Sequence, residues 1–364
     1  MKSTPKQSAL NKTIMQINAL EIESLLTATS IFLMGWATSF VLQYIAIQVS
    51  PKLGLLDHPE ERKVHNKAIP RSGGLAIWLS LTLTLLGYIF FFPDLAQGLR
   101  TLLFPALAIL ALSILGLVDD VKPLPWWPRL LVHFGCAALV VIAVEPEKNL
   151  VLVALAVFII ALITNAFNLI DNMDQQAGGV GLILTIGLIA LGLGLMQNIP
   201  AEFTLTGVVL PCLAGALIGF LWWNQSPARI FLGDAGSIPL GFLLAWIAVH
   251  LVSIIAEEAP WRWLAFPALF LIPLYDLISV VSIRISQGKS PFKPDKQHLS
   301  HRLEARGFSR KRAVTIILLL QYAGTIIGLG ILVVQNPLIA LGLFLWIGLS
   351  VLALAITEFR SRPV

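Results

Sequence analysis

The stretch LVLVALAVFIIALITNAFNLIDNMDQQAGGVGLILTIGLIALGLGL, Leu150 to Leu195, decides the reading of this chain. Its two ends are apolar, glycine-tolerant and without a charge. Its middle, Thr164 to Val180, holds three asparagines, two aspartates and two glutamines. The apolar arms do not alternate as barrel strands would, so they read as membrane helices whose backbone polar groups are satisfied internally. The polar centre is then a loop at the membrane face. Asn165, Asn168, Asp171 and Asp174 recur every three residues, so a helix through them would stack them along one flank. Two carboxylates that close repel each other unless a cation or a proton lies between them.

Working outward, the same apolar pattern repeats. The 364 residues are 57% hydrophobic and 12% charged, with mean hydropathy +0.84, whereas soluble domains carry about 25% charged residues. That excludes a soluble enzyme and predicts an all-α polytopic membrane protein. Eleven spans are expected, near 28–49, 74–92, 101–118, 129–144, 150–164, 178–196, 203–222, 237–256, 263–285, 314–334 and 337–357. The run from Thr101 to Val118 would be ~27 Å long as a helix, just enough for a hydrocarbon core. Residues 1–27 read as a polar tail ahead of a retained first span. Residues 28–358 read as one transmembrane domain with loops at 50–73, 119–129, 165–178, 223–236 and 286–313. Cys136 and Cys212 lie inside apolar runs and read as packing residues.

Charge sorts by side. Nineteen of the 25 Lys and Arg fall on the face that carries those five loops and the C-terminus. The positive-inside rule makes that face cytoplasmic, with the N-terminus outside and the C-terminus inside. Eight of the nine aspartates lie on or near the same face, while seven of the eleven glutamates lie on the other. A short carboxylate suits a hard cation held against a helix end, so the cytoplasmic face is the chemically loaded one.

Each loop adds a part. Asp57 to Gly74 brings Arg62, Lys63, His65, Lys67 and Arg71 together with Gly73 and Gly74, where backbone can approach closely. It reads as either an anion clamp or a basic loop on anionic lipid. Asp119 and Asp120 end the third span; adjacent on a helix, they point about 100° apart, so one is expected to act on a ligand while the other orients or caps. Trp126 and Trp127 read as interfacial anchors. Asp234 lies between Gly233 and Gly236, just ahead of a span, with Phe231 nearby to stack on a base or pack. His298 and His301 lack a third firm ligand for zinc, which favours phosphate contacts with Arg302. Asp276 is an intramembrane acid and so a functional candidate.

Together these loops resemble the polyprenyl-phosphate N-acetylhexosamine-1-phosphate transferases. The resemblance rests on five ordered motifs: D-x-P-x-x-R-K-x-H…P-x-x-G-G at Asp57–Gly74, the Asp119–Asp120 pair, N-x-x-N-x-x-D-x-x-D at Asn165–Asp174, F-x-G-D-x-G-S at Phe231–Ser237, and P-F-x-x-D-x-x-H-x-x-H-R-L at Pro291–Leu303. Two departures stand out: Asn172, Gln175 and Gln176 replace the glycines and leucine of the usual D-G-x-D-G-L-A, and Ser300 replaces a histidine of H-x-H-H. Substrate choice is expected to be set at Asn172, Gln175 and Gln176. The resemblance implies transfer of an N-acetylhexosamine 1-phosphate, foremost N-acetylglucosamine 1-phosphate, from a UDP-sugar to undecaprenyl phosphate with release of UMP. It implies Mg²⁺ (Mn²⁺ as a substitute) held by Asp234 and Asp171, and catalytic roles for Asp119, Asp120, Asp234, His298 and His301. Lys63, His65, Asn168, Asp171, Asp174, Phe231 and Arg302 would bind substrate. The implied setting is the bacterial cytoplasmic membrane in cell-wall or surface-polysaccharide synthesis, with membrane lipid and a second copy of the chain as partners and no nucleic acid. The rivals are a cation-coupled transporter using the same acids as a relay, and a family member that has lost catalysis.

Overall fold

The computed structural model describes residues 5–58, 67–91, 102–144, 149–195, 204–292 and 295–360. Helices make up almost all of it, as lipid demands of a backbone without water. In order they are α1 (Pro5–Leu53), α2 (Gly73–Phe91), α3 (Leu103–Val121), α4 (Trp126–Val144), α5 (Leu150–Leu169), α6 (Gln176–Leu195), α7 (Leu210–Trp223), α8 (Asp234–Ala256), α9 (Ala265–Leu269), α10 (Leu271–Ser286), α11 (Leu299–Ala305), α12 (Arg310–Val333) and α13 (Pro337–Arg360). Among the described residues, nine helices are long and apolar enough to cross a membrane, and a bent pair makes a tenth. The remaining expected span, the seventh, is the shorter apolar helix Gly207–Trp223, entered through a π-helical turn at Thr204–Val209. Each expected span thus has an apolar helical counterpart. The fourth and fifth, which the sequence leaves short, extend into their polar flanks as α4 and α5.

α8 is the centre of the bundle. It packs against α2, α3, α5 and α6 and is buried along most of its length. The outermost element is α13, whose Leu338, Leu345, Trp346, Leu349 and Leu352 face outward. The ninth expected span is broken: Pro260–Leu269 and Leu271–Ser286 meet at 73°. A break inside apolar surroundings orphans backbone groups. Gln321 of α12, fully buried, repairs this one: its Oε1 accepts from Ile272 N (3.2 Å) and its Nε2 donates to Leu269 O (2.6 Å).

At one end of the bundle the backbone itself ties two loops together. Leu56–Asp57 pairs antiparallel with Ile69–Pro70. From that small ladder, Phe231 N donates to Pro70 O (2.7 Å), Gly73 N to Phe231 O (3.0 Å) and Gly74 N to Leu232 O (2.9 Å). A Cβ on Gly74 would lie 2.1 Å from the Gly236 Cα, so only glycine lets α2 start this close to α8.

Candidate active site

The tied loops open onto a cavity of about 1050 Å³, at the upper end of the size of small-molecule sites. Asp119, Asp120, Asp171, Asp174, Phe231, Asp234 and His301 line it. The Asn165–Asp174 segment is not one helix, as its spacing of three suggests. α5 stops at Leu169, and Asp171 and Asp174 sit in the following turn, ahead of α6. The turn is held by long-range partners: Ala228 N donates to Asp174 Oδ2 (3.2 Å), and Gln175 N donates to Asn224 Oδ1 (2.6 Å).

The adjacent aspartates divide their duties. Asp119 accepts from Leu124 N (2.5 Å) and from Arg129 Nη1 (2.6 Å), so it caps the α3–α4 turn and holds a cation. Asp120 accepts from Ala235 N (3.2 Å) and faces Arg71 Nη1 at 3.8 Å. Asp234, the first residue of α8, takes Asn168 Nδ2 on one oxygen (2.8 Å) and has Arg129 Nη1 3.9 Å from the other. Asn168 also donates to Ser237 Oγ (3.1 Å), which pins α5 to α8 at this point. Burial pushes the Asp171 carboxyl up to about 7. The nearby charges of Asp120 and Asp174 add to the rise, and Arg71 opposes it.

Asn168, His298 and Arg302 are not on the cavity surface. His298 Nδ1 meets Asp276 Oδ2 at 2.7 Å, and the other oxygen of Asp276 accepts from Leu299 N (2.6 Å). The intramembrane acid therefore anchors the start of α11. Arg302 donates to Gln297 O and to Ser279 Oγ (2.9 Å) and lies 5.9 Å from the Tyr275 ring centre. These side chains fix α11 so that His301 lines the cavity. His301 contacts Glu304 (3.3 Å), and burial lowers its pKa below the usual histidine range. The two chain departures meet here, because Ser300 Oγ donates to Asn172 Oδ1 (2.5 Å). Trp126 stacks on Phe292 with ring centres 4.0 Å apart, an interlock beyond an interfacial anchor. Lys63 and His65 lie outside the described residues.

Sequence reasoning missed the cations that do line the cavity: Arg129, Lys296, Arg310 and Lys311. Arg129 follows Trp126, Trp127 and Pro128, whose anchoring role drew attention away from it. Arg310 and Lys311 open α12 within a basic run that reads as a solvated helix end.

The donor set suits a hard divalent ion, since Asp120, Asp171 and Asp234 offer only carboxylate oxygens and crowd enough to repel. Among the described residues no group of three or more His, Cys, Asp or Glu forms a ready-made metal cage. Mg²⁺ commonly takes one or two carboxylates and completes its shell with water and substrate phosphate, so these residues fit that kind of site.

Residues 102–252 match the model of glycosyl transferase family 4. The chain is 30% identical over 318 residues to the decaprenyl-phosphate N-acetylglucosaminephosphotransferase of Mycobacterium tuberculosis, covering 78% of each chain. It is 27% identical over 337 residues to the undecaprenyl-phosphate alpha-N-acetylglucosaminyl 1-phosphate transferase of Salmonella typhi, covering 84% of each. The enzyme of the same name from Yersinia pestis is 29% identical over 310 residues, 79% of each. With that cavity between those loops and these relatives along most of its length, the chain belongs to glycosyl transferase family 4.

Proposed function

We propose that this protein is a membrane phosphoglycosyltransferase that moves N-acetylglucosamine 1-phosphate from UDP-N-acetylglucosamine to undecaprenyl phosphate. One observation carries the reading: a single cavity at one end of an apolar bundle is lined by Asp119, Asp120, Asp171, Asp174 and Asp234 together with Arg71, Arg129, Lys296, Arg310 and Lys311. The substrates are both anionic, so their approach needs positive charge, and the products differ from them only at phosphorus. A lipid-phosphate oxygen attacks the β-phosphorus of the UDP-sugar. The bond from that phosphorus to the bridging oxygen breaks, and the electron pair leaves with UMP.

Asp120 is the acid best suited to orient the lipid phosphate or take its proton, since Asp119 is engaged by Leu124 N and Arg129. Asp171 and Asp234 are the proposed holders of Mg²⁺, which when bound would neutralise charge on the diphosphate. Asn168 keeps the Asp234 carboxylate turned toward the cavity. Phe231, half-buried in the cavity wall, offers its ring to the uracil. His301, neutral near pH 7 because burial lowers its pKa, offers a hydrogen bond and not a charge. Arg129, Lys296, Arg310 and Lys311 take the neutralising role that sequence gave to His298 and Arg302. The basic loops support a cytoplasmic site in a bacterial inner membrane, with the N-terminus outside.

A transporter relay is disfavoured, because these acids gather at one end of the bundle. The intramembrane Asp276 is engaged by His298 and Leu299. The test is UMP release by purified protein given undecaprenyl phosphate, UDP-N-acetylglucosamine and Mg²⁺. Chelation or Asp234→Asn should abolish it. No UMP from any UDP-N-acetylhexosamine would overturn the proposal.

A further inference from the structure

Among the described residues, Gln175 is the one non-glycine with a left-handed backbone, at φ +67°. That conformation costs an ordinary L-residue roughly 1–2 kcal/mol. It persists because its surroundings enforce it. Gln175 N donates to Asn224 Oδ1 (2.6 Å), and Gln175 O accepts from Gly179 N (2.9 Å). Asn224 is buried and is itself fixed by donating to Ile230 O (2.7 Å). Strain maintained this firmly beside a cavity directs attention to what the side chain does there.

Three carboxamides were candidates for substrate choice, and the structure separates them. Asn172 lines the cavity, but its Oδ1 takes the Ser300 hydroxyl and its Nδ2 donates to Leu169 O (3.0 Å), so its amide is occupied. Gln176 is buried and does not line the cavity. Gln175 lines it, is half-buried, and its side-chain amide has no hydrogen bond among the described residues. It alone of the three presents a donor and an acceptor to a ligand.

We propose that Gln175 is a specificity-determining contact to the sugar nucleotide, reading a neutral edge with adjacent donor and acceptor. This rests on the function proposed above. Asp171 and Asp174 flank this wall, which disfavours a phosphate at Gln175 and favours an uncharged group. Two parts of the donor have that chemistry, the imide edge of uracil and the N-acetyl amide of the sugar. A glycine would relieve the backbone but would leave the edge unread.

The test uses the full chain with Gln175→Ala and Gln175→Gly. Loss of a neutral hydrogen bond predicts a donor KM raised about three- to ten-fold in both variants. The KM for undecaprenyl phosphate stays unchanged. Gln175→Gly should also melt higher than the wild type while its donor affinity falls, so stability and donor affinity move in opposite directions, which a merely structural role would not produce. Weaker inhibition by UMP in step with KM assigns the contact to uracil. Unchanged UMP inhibition, with reduced preference for UDP-N-acetylglucosamine over UDP-glucose, assigns it to the N-acetyl group. Unchanged donor KM and unchanged UMP inhibition in both variants overturn the proposal. Should the wild type release no UMP, the proposed activity fails separately, and calorimetric binding of UDP-N-acetylglucosamine to wild type and variants still decides the role of Gln175.

Discussion

Gly116, in the C-terminal part of α3, controls where Asp234 sits. A Cβ built there would lie 2.3 Å from both the carbonyl carbon and oxygen of Asp234 and 2.4 Å from Ala235 N. All three are backbone atoms, so no side chain can rotate away. Ordinary van der Waals contact begins at 3.4 Å, and Gly116→Ala must therefore push the start of α8 about 1 Å from α3. That movement strains the 2.8 Å bond between Asn168 and Asp234 and the reach of Arg129. Overpacking of this kind costs ~1–3 kcal/mol, partly offset by the ~0.5–1 kcal/mol that alanine contributes to a helix over glycine. A reacting group displaced by about 1 Å can lose 10²-fold in rate, or ~2.7 kcal/mol of barrier. UMP release should accordingly fall by about two orders of magnitude while the protein remains folded in detergent. Gly135→Ala in α4, where nothing lies within 4 Å of the added atom, is the matched control and should leave turnover unchanged. A folded Gly116→Ala protein working within about three-fold of wild type would refute the reasoning.

Replacing Gln321 with leucine should lower stability by ~2–4 kcal/mol, because Leu269 O and Ile272 N would be left unpaired at the break; thermal unfolding in detergent reads this, and an unchanged midpoint would contradict it. Asp171 must be ionised to help hold a cation, so activity should decline as pH falls through about 7. Rising Mg²⁺ should move that limb to lower pH, as initial rates across pH and metal concentration would record. Without metal, the raised Asp171 pKa means the folded state binds the extra proton, so stability should decrease from about pH 4 to about 7 and then level off; Asp171→Asn should flatten that slope in melting curves. Arg129→Gln should weaken both the α3–α4 cap and the field at Asp234, giving a larger loss of turnover than Lys122→Gln measured in the same assay.

Hydropathy carried the fold class, because long uncharged runs leave a backbone in lipid little choice but helix. The five loops were equally readable, since aspartates and glycines set between apolar runs are costly unless used. What sequence could not supply was direction. Whether His298 faces a ligand or Asp276 depends on a partner 22 residues away, and whether Asn168 touches substrate or Asp234 on one 66 residues away. Spacing alone also carried the α5 helix too far, because the turn after Leu169 is imposed by Asn224 and Ala228 from another loop. The break at Phe270 lies just ahead of Pro273, which has no N–H for Leu269 O, but the donor that replaces it, Gln321, comes from a helix some fifty residues on and is visible only in the structure.

The Asp276 contact has a kinetic side. By binding both His298 and Leu299, a carboxylate inside the bilayer segment makes the start of α11 a continuation of the bundle. Such a loop cannot settle before the bent span beneath it has inserted, so the site is completed late in assembly. Once it has formed, the Leu299 amide should exchange with solvent as slowly as the membrane helices do, although its own helix is only seven residues long.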